Sequence, residues 1–165
     1  MKRMLLPALA AALAVLIGWS KLPETTAEPP LAPNASFGPA EVVRIQVEAL
    51  GSNGASVGNA GIRTAFRFAS PPNRAATGPV EAFIGLVNNP AYRDMLDHRE
   101  AVYGELVIAE DRAAQRVTLT TLDLRQVEYV FFLSRYDTAS CNGCWMTDAV
   151  QRVGGVSAQT PRIGV

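Results

Sequence analysis

The chain's two cysteines stand together in Ser140-Cys141-Asn142-Gly143-Cys144-Trp145, at the Cys-x-x-Cys spacing of redox and metal sites. A redox pair of this kind follows a strand and opens a helix, whose N-terminus lowers the thiol pKa. Here strand-like sequence lies on both sides, so that assistance is missing. Zinc needs four ligands, and beyond the thiolates the chain offers only its single histidine, His98, and carboxylates. The reading is therefore no metal and no cofactor. Asn142-Gly143 is instead a strong two-residue hairpin signal. Residues flanking such a turn face each other with Cα atoms about 5.5 Å apart, inside disulfide range. Three states are open to Cys141 and Cys144: a structural disulfide, which this context favours, two inert thiols, or redox or metal chemistry. A tight turn would also set Asp137 opposite Asp148, and facing like charges are unfavourable. A wider loop from Asp137 to Cys144 relieves that contact, and a disulfide survives either geometry.

Four other positions carry candidate acid–base chemistry. His98, in Leu96-Asp97-His98-Arg99-Glu100, has Asp97 and Glu100 nearby. Sequence adjacency does not build a dyad, so a surface histidine between helix and strand is the plainer reading. Asp148 alternates with Met146 and Val150, with Arg135 diagonal to it across the hairpin. A buried Asp148–Arg135 ion pair is the simpler account of it, and a general acid or base the sharper one. Tyr103 and Tyr129 supply phenols that could assist. Ser70-Pro71-Pro72-Asn73-Arg74 resembles no phosphate loop; Ser70, Asn73 and Arg74 are expected to tie a helix connection together by local hydrogen bonds.

These residues must be positioned by two kinds of element. Pro39 suits a first helical turn. Val43, Val47 and Leu50 recur at helical spacing behind it, Val42 and Ile45 widen the stripe, and Gly51 ends it. A second helix follows Asn59, with Ile62, Ala65, Phe66 and Ala69 on one face. Pro71 to Gly78 reads as a break, and a third helix begins at Pro79 with Phe83, Leu86 and Val87 inward. The period then changes. Tyr103–Ala109, Gln115–Leu122, Val127–Arg135 and Trp145–Val153 read as four strands with short polar connections. Helices followed by consecutive strands predict an α+β fold, N-terminal helices on one face of a curved antiparallel sheet.

Composition bounds the function. The chain of 165 residues is 48% hydrophobic and 18% charged, with 15 basic and 15 acidic residues scattered singly. That is a globular composition without the concentrated basic footprint a nucleic-acid partner needs. Lys2 and Arg3 precede an uncharged apolar run, Met4 to Trp19. This start predicts a signal peptide or membrane anchor over residues 1–27, with cleavage after Ala27. An exported domain, periplasmic or extracellular, follows, membrane-bound only if the segment is retained. Residues 28–38 read as a linker, 39–153 as one domain and 154–165 as a tail.

The stretches FRFASPPNRAATGPVEAFIGLVNNPAY and CWMTDAV, with the order of elements around them, resemble a domain of unknown function, family 4864, from about Pro39 to Val153. The resemblance implies the cone-shaped nuclear transport factor 2-like fold and no assigned activity. Members of that fold include isomerases, dehydratases and plain binding or dimerisation modules, so fold does not fix function. The Tyr/Asp set of ketosteroid isomerase-type members has no recognisable counterpart here. Two functions follow as expectations. One is a non-catalytic module that binds a small apolar ligand in the cone or acts through association. The other is a small lyase- or isomerase-type enzyme with Asp148 pointing into the cone and Tyr103, Tyr129 or His98 assisting. In Val127–Arg135, Tyr129, Phe131 and Leu133 take one face, and Val130 and Phe132 the other. Apolar residues on both faces predict a homodimer through the outer face of the sheet.

Overall fold

The computed structural model describes residues 30–54 and 57–154. The expected signal or anchor segment and all but the first residue of the tail lie outside them. α1 (Pro39–Gly51) has proline in its first turn, as the sequence predicts, and buries Val42, Val43, Ile45, Val47 and Leu50. α2 (Ala60–Arg67) crosses it closely, for a Cβ at Gly61 would meet the Ala49 carbonyl oxygen. The inward face of α2 differs from expectation. Ile62 and Ala65 are buried, but Phe66 is only half-buried and the fully buried aromatic is Phe68, just past the helix end.

Pro71 to Thr77 is a further helix, α3, rather than a break. Its prolines sit in the first turn, where a missing N–H costs nothing. Ser70 caps it, its Oγ accepting from the Asn73 N–H. Adjacent prolines signal a stop only when read without the cap before them. α4 (Val80–Val87) buries Val87, while Phe83 and Leu86 stay half-buried. A short 3₁₀ turn, Arg93–Met95, leads into the sheet.

The sheet is a four-stranded antiparallel meander in sequence order, curved and not closed: β1 (Glu100–Ala109), β2 (Arg112–Thr120), β3 (Gln126–Thr138) and β4 (Cys141–Val153). Parity along the strands sorts the side chains. Val117, Leu119, Val127, Tyr129, Phe131 and Leu133 face the helices and are almost wholly buried. Val102, Val107 and Phe132 lie on the opposite face and are exposed. The edge of β4 is covered by chain from the helical half. Ser70 N–H donates to the Thr147 carbonyl (2.9 Å) and Thr147 N–H to that of Phe68 (2.8 Å). This parallel bridge occupies edge groups that would otherwise be free to pair with another chain.

Candidate functional site

β4 departs from regular pairing twice, and the candidate residues lie at both departures. In the first, Thr138 pairs with Cys141 and Tyr136 with Cys144, so Asp137 faces both Asn142 and Gly143. The hairpin tip is thus Ala139-Ser140, not the expected Asn142-Gly143. Local side chains explain the shift. Thr138 Oγ1 accepts from the Cys141 N–H (3.1 Å), and Asp137 Oδ1 accepts from the Gly143 N–H (2.7 Å). Gly143 takes a φ of +70°, which glycine adopts without strain, and so forms a bulge within the strand. Moving the tip also separates Asp137 from Asp148. Cys141 and Cys144 therefore do not face each other across a turn. They span the bulge on one strand, Cα atoms 5.9 Å apart and sulfurs at disulfide distance.

The second departure is at Asp148. Leu133 pairs with Thr147 and Phe132 with Ala149, leaving Asp148 as the extra residue of a bulge. Arg135 is not its partner. The guanidinium stacks over the Trp145 ring, 5.0 Å from the centroid, and reaches the exposed Asp111. The Asp148 carboxylate instead accepts one hydrogen bond on each oxygen, from Ser134 Oγ (2.6 Å) and from the Tyr136 hydroxyl (2.7 Å). Partial burial, then this bond to a carboxylate, raises the Tyr136 pKa. A buried ion pair is thus replaced by a carboxylate held by two hydroxyls.

Between α3, α4 and β4 lies a pocket of about 180 Å³. Its apolar wall includes Ala69, Phe83, Leu86, Val87, Met95 and Val150, and Asp148 lines it as the sole ionisable acid or base besides Tyr92. Its other polar groups are engaged within the protein. Buried Gln46 donates to the Ala65 carbonyl (3.0 Å) and accepts from Thr147 Oγ1 (2.6 Å). Asn73 Nδ2 donates to the Thr147 carbonyl (2.9 Å), Thr77 Oγ1 to that of Asn73 (2.9 Å), and the Tyr92 hydroxyl to that of Val150 (3.4 Å). Arg74 turns to the carbonyls of Ala69 and Arg67, both at 2.8 Å. The local ties expected of Ser70 and Arg74 are present, whereas the Asn73 side chain reaches across to β4 instead.

The remaining candidates lie elsewhere. Tyr103 is on β1, at the far edge of the sheet from β4, roughly 14 Å away by strand spacing alone. Burial, then the charge of Glu48, raises its pKa. His98 hydrogen-bonds through Nδ1 to the Met95 carbonyl (2.9 Å), in a shallow surface depression with Glu48 and Arg99. The Tyr129 hydroxyl donates to the Ala91 carbonyl (3.0 Å), and burial pushes its pKa up to about 12. Asp148 is thus joined by none of the three. Its neighbour Tyr136 escapes sequence reading because strand alternation assigns it to the outer face, away from any interior site. Gln46 carries a weak signal, a lone amide within an apolar helical stripe.

Among the described residues, no group of three or more His, Cys, Asp or Glu side chains could hold a metal ion. Nor is any of their helices long and apolar enough to cross a membrane. An α+β domain whose described residues bring together no convergent acid–base set fits many functions. Comparison with known families narrows the lineage. Residues 40–154 match the family described as Domain of unknown function (DUF4864), and the chain belongs to it. No curated protein and no solved structure matches the chain.

Proposed function

We propose that the chain is an exported, non-catalytic module that holds a small, largely apolar ligand in the pocket between α4 and β4. One observation carries the reading: the pocket has apolar walls, and its hydroxyls and amides are spent on internal hydrogen bonds. Such a lining selects by shape and hydrophobicity rather than by acid–base chemistry. At about 180 Å³ the pocket is smaller than sites for drug-sized molecules, yet comparable to an apolar cavity of roughly 150 Å³ that accepts benzene. The basic-then-apolar start and the cysteine pair at disulfide distance both support an oxidising compartment outside the cytoplasm. A screen of single-ring and short-chain compounds by NMR, read at the Met95 methyl, tests the binding. Binding with slow or no turnover supports it, and silence across the screen refutes it. Mass spectrometry of protein from its native host tests export, which predicts loss of about the first 27 residues.

A second reading, a small lyase or isomerase, is favoured by the presence of Asp148 in the pocket lining. It assigns proton transfer to Asp148, with Tyr136 rather than Tyr103, Tyr129 or His98 beside it. Turnover of a pocket ligand, abolished in Asp148→Asn with the fold intact, would select this reading.

A further inference from the structure

The two edges of the sheet are treated differently. The chain from Phe68 to Ser70 covers β4, but among the described residues no strand pairs with the free side of β1. The far half of β1 is also bare on both faces. Val107 and Ile108 are successive and so point to opposite faces, yet each is more than half exposed. The helical layer stops short of this end of the strand, and leaves its backbone edge and its apolar side chains accessible together.

The charges along this edge have one sign. From Glu100 to Glu110 the sequence carries three glutamates and no lysine, arginine or histidine. All three are exposed, and none belongs to an ion pair of the described residues. Arg116 faces the bulge at Gly104 and Glu105, but it pairs with Glu128. Arg99 and Arg112 stand at the two ends of β1 and pair with none of these acids. The bulge leaves Leu106–Ala109 as a regular stretch with an acid at each end, Glu105 and Glu110. Such charges keep identical edges apart while leaving the strand open to an oppositely charged one. A second β1 laid along this edge would set acids beside acids.

We infer that β1 accepts, by strand addition, an extended segment of a partner protein: about four residues of alternating apolar character with a basic residue at each end. Its backbone groups would pair with the outward N–H and C=O groups of Leu106–Ala109, as in other edge-strand complexes. Its apolar side chains would lie beside Val107 and Ile108, and its cations would meet Glu105 and Glu110. The edge is separate from the pocket between α4 and β4, so the inference does not rest on the ligand-binding reading.

Short blocked peptides test this with the full chain. One has lysine at each end and alternating valine and threonine between; a second has glutamate for lysine; a third keeps lysine but has proline for threonine. The lysine peptide should bind at least about tenfold more tightly than the glutamate peptide, and added salt should narrow that gap. Hydrogen exchange at the outward amides of Leu106–Ala109 should slow on binding. The proline peptide, with the same charge but fewer N–H donors, should lose most of the affinity. Glu105→Lys combined with Glu110→Lys should reverse the order of the lysine and glutamate peptides, with unchanged circular dichroism. If that variant does not fold, the salt series and the exchange data on the unmodified chain decide. Equal binding of the lysine and proline peptides, or binding without slowed exchange, would reduce the effect to charge attraction and overturn strand addition. Absence of binding, or no preference for lysine over glutamate, would also overturn it. Outward amides that already exchange slowly in the free chain would show the edge filled by its own tail or a second copy, and the proposal would fall.

Discussion

The Tyr136 hydroxyl donates to Asp148 Oδ1 at 2.7 Å, across a bulge where Asp148 has no opposite residue in the sheet. A regular strand would have set Asp148 directly against a β3 residue. The extra residue re-aims the side chain, a common use of bulges near functional positions. Ser134 completes the arrangement on the other oxygen. Tyr136→Phe and Ser134→Ala should each lower stability by about 1 kcal/mol, since each removes a hydrogen bond to a charged, partly buried acceptor. The double variant should exceed the sum of the two, because it leaves the carboxylate without a donor. Urea denaturation of the four variants in the cycle measures both.

Alkaline pH should weaken the fold through its tyrosines. Burial lifts Tyr129 to about 12, and Tyr103 and Tyr136 are raised as well. Folded chains then keep protons that unfolded chains release near pH 10, so the unfolded state gains as pH rises. The stabilisation is complete below about pH 10 and is lost between there and about pH 12. Tyr129→Phe should flatten that decline, although losing the bond to Ala91 lowers stability at neutral pH. Denaturation midpoints from pH 8 upward should show an undiminished slope if Tyr129 is not responsible.

Asp94 should matter more than the other surface acids. Its side chain is 12% exposed and joins Arg125 (3.0 Å) and Arg152 (2.9 Å), tying the 3₁₀ turn before the sheet to the ends of β3 and β4. Asp94→Ala leaves two guanidiniums without it, whereas Asp123→Ala removes an exposed pair with Arg125. Melting temperature should fall clearly in the first and barely in the second. Equal shifts would show that burial of Asp94 confers nothing.

The limits of sequence reading can be seen in these same residues. Periodicity identifies β3 and the buried set Tyr129, Phe131 and Leu133, because alternation is a local signal with a single burial solution. The order of helices and strands likewise leads to the α+β meander. Bulges carry no such signal. Asp148 and Gly143 each add one residue to β4, and one residue reverses the facing of everything beyond it. Hence the expected partner Arg135 was displaced by Tyr136 and Ser134. The turn moved for a related reason: Asp137 and Thr138 bind the backbone of Cys141 and Gly143, outweighing the Asn-Gly preference. Asp94 joins residues about thirty and sixty positions away, a link no local pattern records.

Cys141 and Cys144 should be bonded in protein taken from an oxidising compartment, shown by a mass two hydrogens lower than the reduced form. The ring closed is so short that the bond adds roughly 2 kcal/mol at most in the chain-entropy model. Replacing both with serine should therefore cost little, with ligand binding unchanged, since the pair spans the bulge at Gly143 rather than the pocket. Loss of binding with stability preserved would revive a redox role.

The outer sheet face should mediate self-association. Val102 and Val107 are each 56% exposed and Phe132 36%, while the residues of opposite parity on β3 are already buried against the helices. The register places Val107 beside Ala114 and Ala114 beside Phe132, and Phe132 in turn pairs with Ala149. An apolar row thus crosses all four strands, on a face that in a monomer would be expected to carry polar residues. Arg116 and Glu128 flank it on the same face as an ion pair, charges that can form a polar rim around an apolar centre. A two-fold arrangement would set this row against its own copy, the simplest closed solution for one self-complementary patch. Phe132→Lys and Val107→Lys should each shift the protein toward monomer in light scattering, with unchanged circular dichroism. A monomer at high micromolar concentration before any substitution would end the proposal.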